Sequence, residues 1–91
     1  MTPSISHDPA HPRFVTEVDG QQAVLEYRMR GDTMELTHTG VPAPIGGRGI
    51  AGALVRAAFE HARAHGLRVR PLCSYAAAWA ERHDDVRDLL A

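Results

Sequence analysis

Lysine does not occur among the 91 residues, so all ten basic side chains are arginine. That excludes a Schiff-base or catalytic lysine and the lysine of a Walker-type nucleotide loop. A cationic contact to phosphate must come from a guanidinium or a backbone amide. Cysteine is nearly absent as well, and the single Cys73 excludes an intrachain disulfide and a multi-cysteine zinc site. There is no apolar run of membrane-spanning length and no basic-then-apolar leader at the N-terminus. The expectation is therefore a soluble cytoplasmic protein with no membrane partner. Charge of one sign does not dominate either: a net charge of −1 argues against a nucleic-acid or general polyanion binder. Any anion site must be local.

What is present fits one domain, with a single core and no room for a separate lid. Residues 1–12, which include Ser4, His7, Asp8, Pro9, His11 and Pro12, show little periodicity and read as a flexible N-terminal arm or an edge approach; residues 13–91 form the domain. Residues 14–18 make a strand, Asp19-Gly20 a tight hairpin turn, and residues 23–30 a second strand with Leu25, Tyr27 and Met29 alternating against Glu26, Arg28 and Arg30. After a turn at Gly31-Asp32, residues 34–39 make a third strand. Strict alternation puts Met34, Leu36 and His38 on one face of it. These three strands form an antiparallel meander.

From Ile50 onward, Ala51, Leu54, Val55, Ala58, Phe59 and Ala62 recur at helical spacing as one apolar stripe. Gly66 is placed to end that helix in a left-handed cap, and residues 67–73 form a strand returning parallel to the third. Ser74 caps a second helix over residues 75–83, with Trp79 as its apolar anchor, and residues 86–90 close the chain as a short helix. The order is β-β-β-α-β-α, an α+β domain with a mixed sheet.

The most informative stretch is the junction from Val41 to Val55. Glycines at 46, 47 and 49 permit positive φ and close approach of a ligand. The unpaired N–H groups and positive dipole end of the helix that follows attract phosphate oxygens. Such a turn is also a common strand-to-helix connection, so its neighbours carry the weight.

Those neighbours resemble the GNAT superfamily of N-acyltransferases over about residues 13–83. The superfamily pattern is Arg or Gln, two variable residues, Gly, one variable residue, then Gly or Ala; Gly49 and Ala51 fill its last positions, and Gly46 stands where Arg or Gln is usual. A compact stand-alone subgroup that lacks the usual first helices is closer. The resemblance is carried by His38-Thr39 before Val41-Pro42, Gly47-Arg48-Gly49-Ile50, Ala62-Arg63 with Gly66-Leu67, Pro71-Leu72-Cys73-Ser74-Tyr75, and Arg82-His83. It implies a truncated GNAT-like fold and acetyl-CoA as cosubstrate, with no metal. Backbone groups near Thr39 and Val41 would pair with pantetheine; residues 46–52, namely Gly46, Gly47, Arg48, Gly49, Ile50, Ala51 and Gly52, would hold the pyrophosphate, with Arg48 reaching the phosphates.

The resemblance also puts His38 and Cys73 beside the thioester. Histidine suits removal of a proton from an amine nucleophile. Cys73 either lies beside a direct transfer or accepts the acyl group itself. Tyr75 either protonates the leaving thiolate or packs. The implied activity is acetyl transfer to an amine-bearing small molecule or protein; the alternative is a non-catalytic acyl-CoA-binding module. Acceptor and oligomeric state stay open. Three further groups have plainer readings. His61 and His65 have metal-ligand spacing but no third ligand, Arg68 and Arg70 are either steering or edge charges, and His83 with Asp84 and Asp85 is either an amine site or a solvated helix end.

Overall fold

In the computed structural model, which describes residues 4–91, the chain runs through β1 (Ser6–Asp8), β2 (Arg13–Val18), β3 (Gln21–Arg30), β4 (Thr33–Gly40), α1 (Ile50–Ala64), β5 (Arg68–Pro71) and α2 (Ser74–Glu81). Short 3₁₀ turns cover Ala43–Ile45 and Asp84–Leu89. The five strands lie in sequence order; β1 to β4 are antiparallel neighbours and β5 joins β4 in parallel through α1. Asp19 and Gly20 both hold left-handed backbone, φ 51° and 74°, which is what a two-residue turn between right-twisted strands requires. The expected α+β order with a mixed sheet is therefore present.

One strand was hidden. Residues 6–8 lie within the stretch read as a flexible arm or an edge approach, and they pair with residues 13–15 of β2 as an edge strand. The reason is side-chain anchoring that periodicity does not reveal. His7 stacks on Phe14 at 4.5 Å between centroids and its Nε2 lies 2.6 Å from the Tyr27 hydroxyl, while Thr16 Oγ1 donates to the Ser4 carbonyl at 2.6 Å. The first three residues of that arm lie outside the described residues.

One face of the sheet makes the core. Phe14, Ala23, Leu25, Met34, Leu36 and Val69 bury against Leu54, Val55, Ala58, Phe59 and Ala62, the stripe of α1. Each large side chain so buried contributes roughly 1.5–3 kcal/mol, so α1 is pinned firmly and its N-terminus with it. Gly66 (φ 67°) lets the Leu67 N–H turn back to the Ala62 carbonyl at 2.8 Å, ending α1 as the sequence predicts. Trp79 of α2 stacks on Phe59 at 5.6 Å, placing α2 beside α1. The opposite face carries Glu26, Arg28, Arg30, Thr37, His38 and Arg70, all exposed.

The alternation of β4 breaks in the middle. Tyr27 pairs with Leu36 and Glu26 with His38, so Thr37 is an extra residue, a β-bulge. A bulge exchanges the faces of everything after it. Cross-strand partners share a face; Glu26 is on the open face, so His38 is there too, and Thr39, opposite buried Leu25, is on the helix-covered face. Strict alternation, which groups His38 with Met34 and Leu36, is therefore corrected. No helix among the described residues is long and apolar enough to cross a membrane.

Candidate functional site

The parallel ladder between β4 and β5 ends at Leu36 and Pro71. The Leu36 carbonyl there accepts N–H bonds from both Leu72 (2.9 Å) and Cys73 (3.0 Å), which turns the chain out of the sheet and into α2. Strand β4 runs on to Gly40 without a β5 partner, so the two strands part. Cys73 stands at the parting. It, and not Ser74, is the N-cap of α2: its Sγ accepts from the Ala76 N–H at 3.4 Å, and Ser74 is the first helical residue. The same sulfur lies 3.4 Å from the Thr39 hydroxyl. Val41, just past β4, packs against the core.

The glycine turn follows. Gly47 and Gly49 both have φ 77°, a conformation that favours glycine, whereas Gly46 is extended (φ −65°, ψ 156°). The expectation of positive φ at all three glycines is corrected at Gly46. Its N–H is also committed, to the Ala43 carbonyl at 3.0 Å. The free amides begin one residue later. Among the described residues, the N–H groups of residues 47–52 have no intramolecular acceptor; the first satisfied one is Ala53, bonded to the Gly49 carbonyl at 3.1 Å. Gly49 caps α1 with no side chain, so nothing competes for those donors. Ile50 is buried in the core, and Ala51 half-buried, so their contribution to a ligand is the backbone amide.

Space for a ligand is kept open at Gly52. A Cβ there would come within 3.3 Å of Trp79 Nε1 and 3.4 Å of the Tyr75 hydroxyl, so two side-chain donors from α2 converge on the first turn of α1. Gly49, Gly52, Arg56, Trp79 and His83 line an open cleft of about 700 Å³. Trp79 is buried, as expected of a core residue, yet its ring is layered: His83 stacks on it at 3.8 Å and the Arg56 guanidinium lies 4.9 Å from its centroid. Arg56 carries no sequence signal beyond its position one turn after Gly52.

Arg48 forms an exposed ion pair with Asp19 of the β2–β3 turn, at 2.6 Å. His38 sits across from Glu26 on the open face, and it is Thr39, not His38, that contacts Cys73. The two residues expected together thus approach the parting of the strands from opposite faces of β4.

The remaining candidates resolve into structural roles. His61 and His65 stack at 4.1 Å, and His7 comes within 4.4 Å of His61. However, His65 Nδ1 bonds the His61 carbonyl and His7 Nε2 bonds Tyr27. No cluster of three metal-ligating side chains suited to an ion occurs among the described residues. Burial, then the neighbouring His7 and His65, hold the His61 imidazole below its ordinary pKa. Arg68 donates to the Leu90 carbonyl and Arg70 to Glu35. His83 Nδ1 meets the Trp79 carbonyl at 2.7 Å, while Asp84 and Asp85 pair with Arg87 and Arg56.

Comparison with known proteins bears on the family and the fold. Residues 13–89 match the family model described as GCN5-related N-acetyl-transferase. The solution NMR structure of a GCN5-like protein from Staphylococcus aureus, described as a candidate N-acetyltransferase, superposes with a TM-score of 0.78 at 28% sequence identity, covering 99% of this chain and 89% of that one.

Proposed function

Because the chain belongs to the GCN5-related N-acetyltransferase family, we propose that it moves an acetyl group from acetyl-CoA to an amine acceptor. The observation that carries this reading is the run of six uncommitted amides at residues 47–52, set beside the point where β4 and β5 part. Backbone N–H groups at a helix start are suited to the pyrophosphate. Arg48 is held by Asp19 only through a solvent-exposed pair, worth about 0–1 kcal/mol, so it is free to exchange that partner for a phosphate. Gly46 supplies no side chain, and Tyr75 and Trp79 supply donors on the far wall.

The pantetheine arm lies along the unpartnered edge of β4 near Thr39 and Val41, and the thioester reaches Thr39 and Cys73. The amine approaches from the open face, where His38 accepts its proton. The amine nitrogen forms the new bond to the acetyl carbonyl carbon, the carbon–sulfur bond breaks, and coenzyme A leaves as the thiolate, which takes a proton from water. Cys73 acts beside this direct transfer, capping α2 and bordering the thioester.

The test is release of free coenzyme A thiol from acetyl-CoA with a panel of small amines, alongside calorimetric binding of acetyl-CoA. The expected result is amine-dependent release that falls about a hundredfold in His38→Ala, with acetyl-CoA affinity unchanged. Tight acetyl-CoA binding with no amine-dependent release would instead mark a non-catalytic acyl-CoA-binding module.

A further inference from the structure

Three guanidiniums from two strands converge on one carboxylate. Arg28 Nε lies 2.5 Å from Glu35 Oε1, while Arg30 Nε (3.4 Å) and Arg70 Nη1 (3.3 Å) reach Oε2. The carboxylate side chain is only 4% exposed, whereas the three arginines are 59%, 68% and 47% exposed. Glu35 therefore acts as a post that holds three cations upright across β3, β4 and β5. Its single negative charge leaves a local surplus of two, and most guanidinium N–H groups remain uncommitted.

Charge on this open face is sorted along its length. The arginine cluster lies towards the β3–β4 turn, level with Thr33 to Glu35, and Glu26, opposite His38, lies beyond the Thr37 bulge. Glu35 and His38 stand opposite Arg28 and Glu26, two positions apart on β3, because Thr37 bulges; the span along the sheet is roughly 7 Å. A molecule bridging that distance with a negative segment on the arginines would bring a cationic amine towards Glu26 and His38.

We propose that the Arg28–Arg30–Arg70 cluster is the docking surface for an acidic stretch of a polypeptide acceptor, whose amine then reaches His38. The proposal rests on the acyltransferase reading above. Guanidiniums match carboxylates in paired hydrogen bonds, and a cluster of fixed orientation favours a short acidic segment. Nucleic acid fits less well. A phosphate backbone needs a continuous basic track, whereas this face turns acidic at Glu26 and the chain as a whole carries a net charge of −1.

The probe is a short peptide with a free N-terminal amine, a neutral spacer and a run of glutamates, compared with the same peptide carrying glutamines. The kcat/KM should favour the acidic peptide by about tenfold at low salt and lose that preference at high salt. Arg30→Gln and Arg70→Gln should each cut the preference to roughly threefold or less, with turnover of a small neutral-chain amine unchanged. Fluorescence anisotropy of the labelled peptide reads docking apart from catalysis. Salt-sensitive binding that weakens in the arginine variants upholds the surface even if no amine is acetylated, a result that would overturn only the catalytic reading. Equal binding and turnover of acidic and neutral peptides, with small amines still acetylated, overturns the surface. So does tighter binding of a single-stranded oligonucleotide than of the acidic peptide.

Discussion

The Thr39 hydroxyl and the Cys73 sulfur lie 3.4 Å apart at the point where β4 and β5 separate. The contact exists because Thr37 bulges. Without that extra residue, His38 would face α2 and Thr39 would face solvent. The bulge thus gives the two faces of β4 different side chains at the same place: a thiol and a hydroxyl on the helix side, an imidazole on the open side.

If transfer is direct, Cys73 is a cap and a neighbour of the thioester, not an acyl carrier. Cys73→Ala should cost about 0.5–1 kcal/mol in denaturant unfolding through loss of the α2 cap, and Cys73→Ser should recover most of it. Wild-type protein mixed with labelled acetyl-CoA should retain no label after gel filtration. Retained label that vanishes in Cys73→Ala would establish a covalent relay.

The glycine loop makes two opposite expectations. Gly52→Ala should change stability little, because the better helix propensity of alanine, about 1 kcal/mol, is set against a Cβ crowding buried Trp79 at 3.3 Å, yet it should weaken acetyl-CoA binding about tenfold by closing the space beside Tyr75 and Trp79. Gly46→Gln places a polar side chain at a backbone conformation any residue adopts, with the Ala43 carbonyl 3.3 Å and the Pro42 carbonyl 4.0 Å from the added Cβ. It should tighten binding by about three- to tenfold. Calorimetry reads affinity and thermal melts read stability.

The strands, the hairpin turns, the helical stripe and the Gly66 cap were legible in the sequence because each has a period or a residue type tied to its geometry. The Thr37 bulge was not, since nothing in Leu36-Thr37-His38-Thr39 marks an extra residue; it is set by the pairing with β3. Ser74 drew the cap assignment because its hydroxyl is the better capping group, but Leu36 receives both Leu72 and Cys73 and so fixes where the helix starts. Strand β1 was hidden by its brevity and by Pro9 and Pro12; its anchors are the partners of His7, distant in sequence. The arginine cluster was visible only as ordinary alternation until the structure put Glu35 beneath it.

Acidification should lower stability over two pH ranges. The folded pKa of His61 is depressed, so its neutral form stabilises the fold fully above the ordinary histidine value of 6.5, and that contribution is lost as pH falls through the lower folded value. Glu35 is held below 4.5 by its hydrogen bond from Arg28, against the opposing effect of burial and with help from the charges of Arg28 and Arg30. Its contribution persists above that value and is lost as pH falls through the folded one. Melting temperatures followed from neutral pH downward should show both declines. His61→Gln should flatten the first, and Glu35→Gln should lessen the second, to which Asp8, Asp85 and Asp88, also held below their ordinary values, contribute.

Amide chemical shifts recorded during titration with acetyl-CoA test the central claim most directly. Saturable shifts are expected at residues 47–52, at Thr39 and Val41 on the β4 edge, and at Cys73 and Tyr75. Absence of shifts at millimolar ligand, or shifts confined to the open face around Arg28 and Arg30, would contradict it.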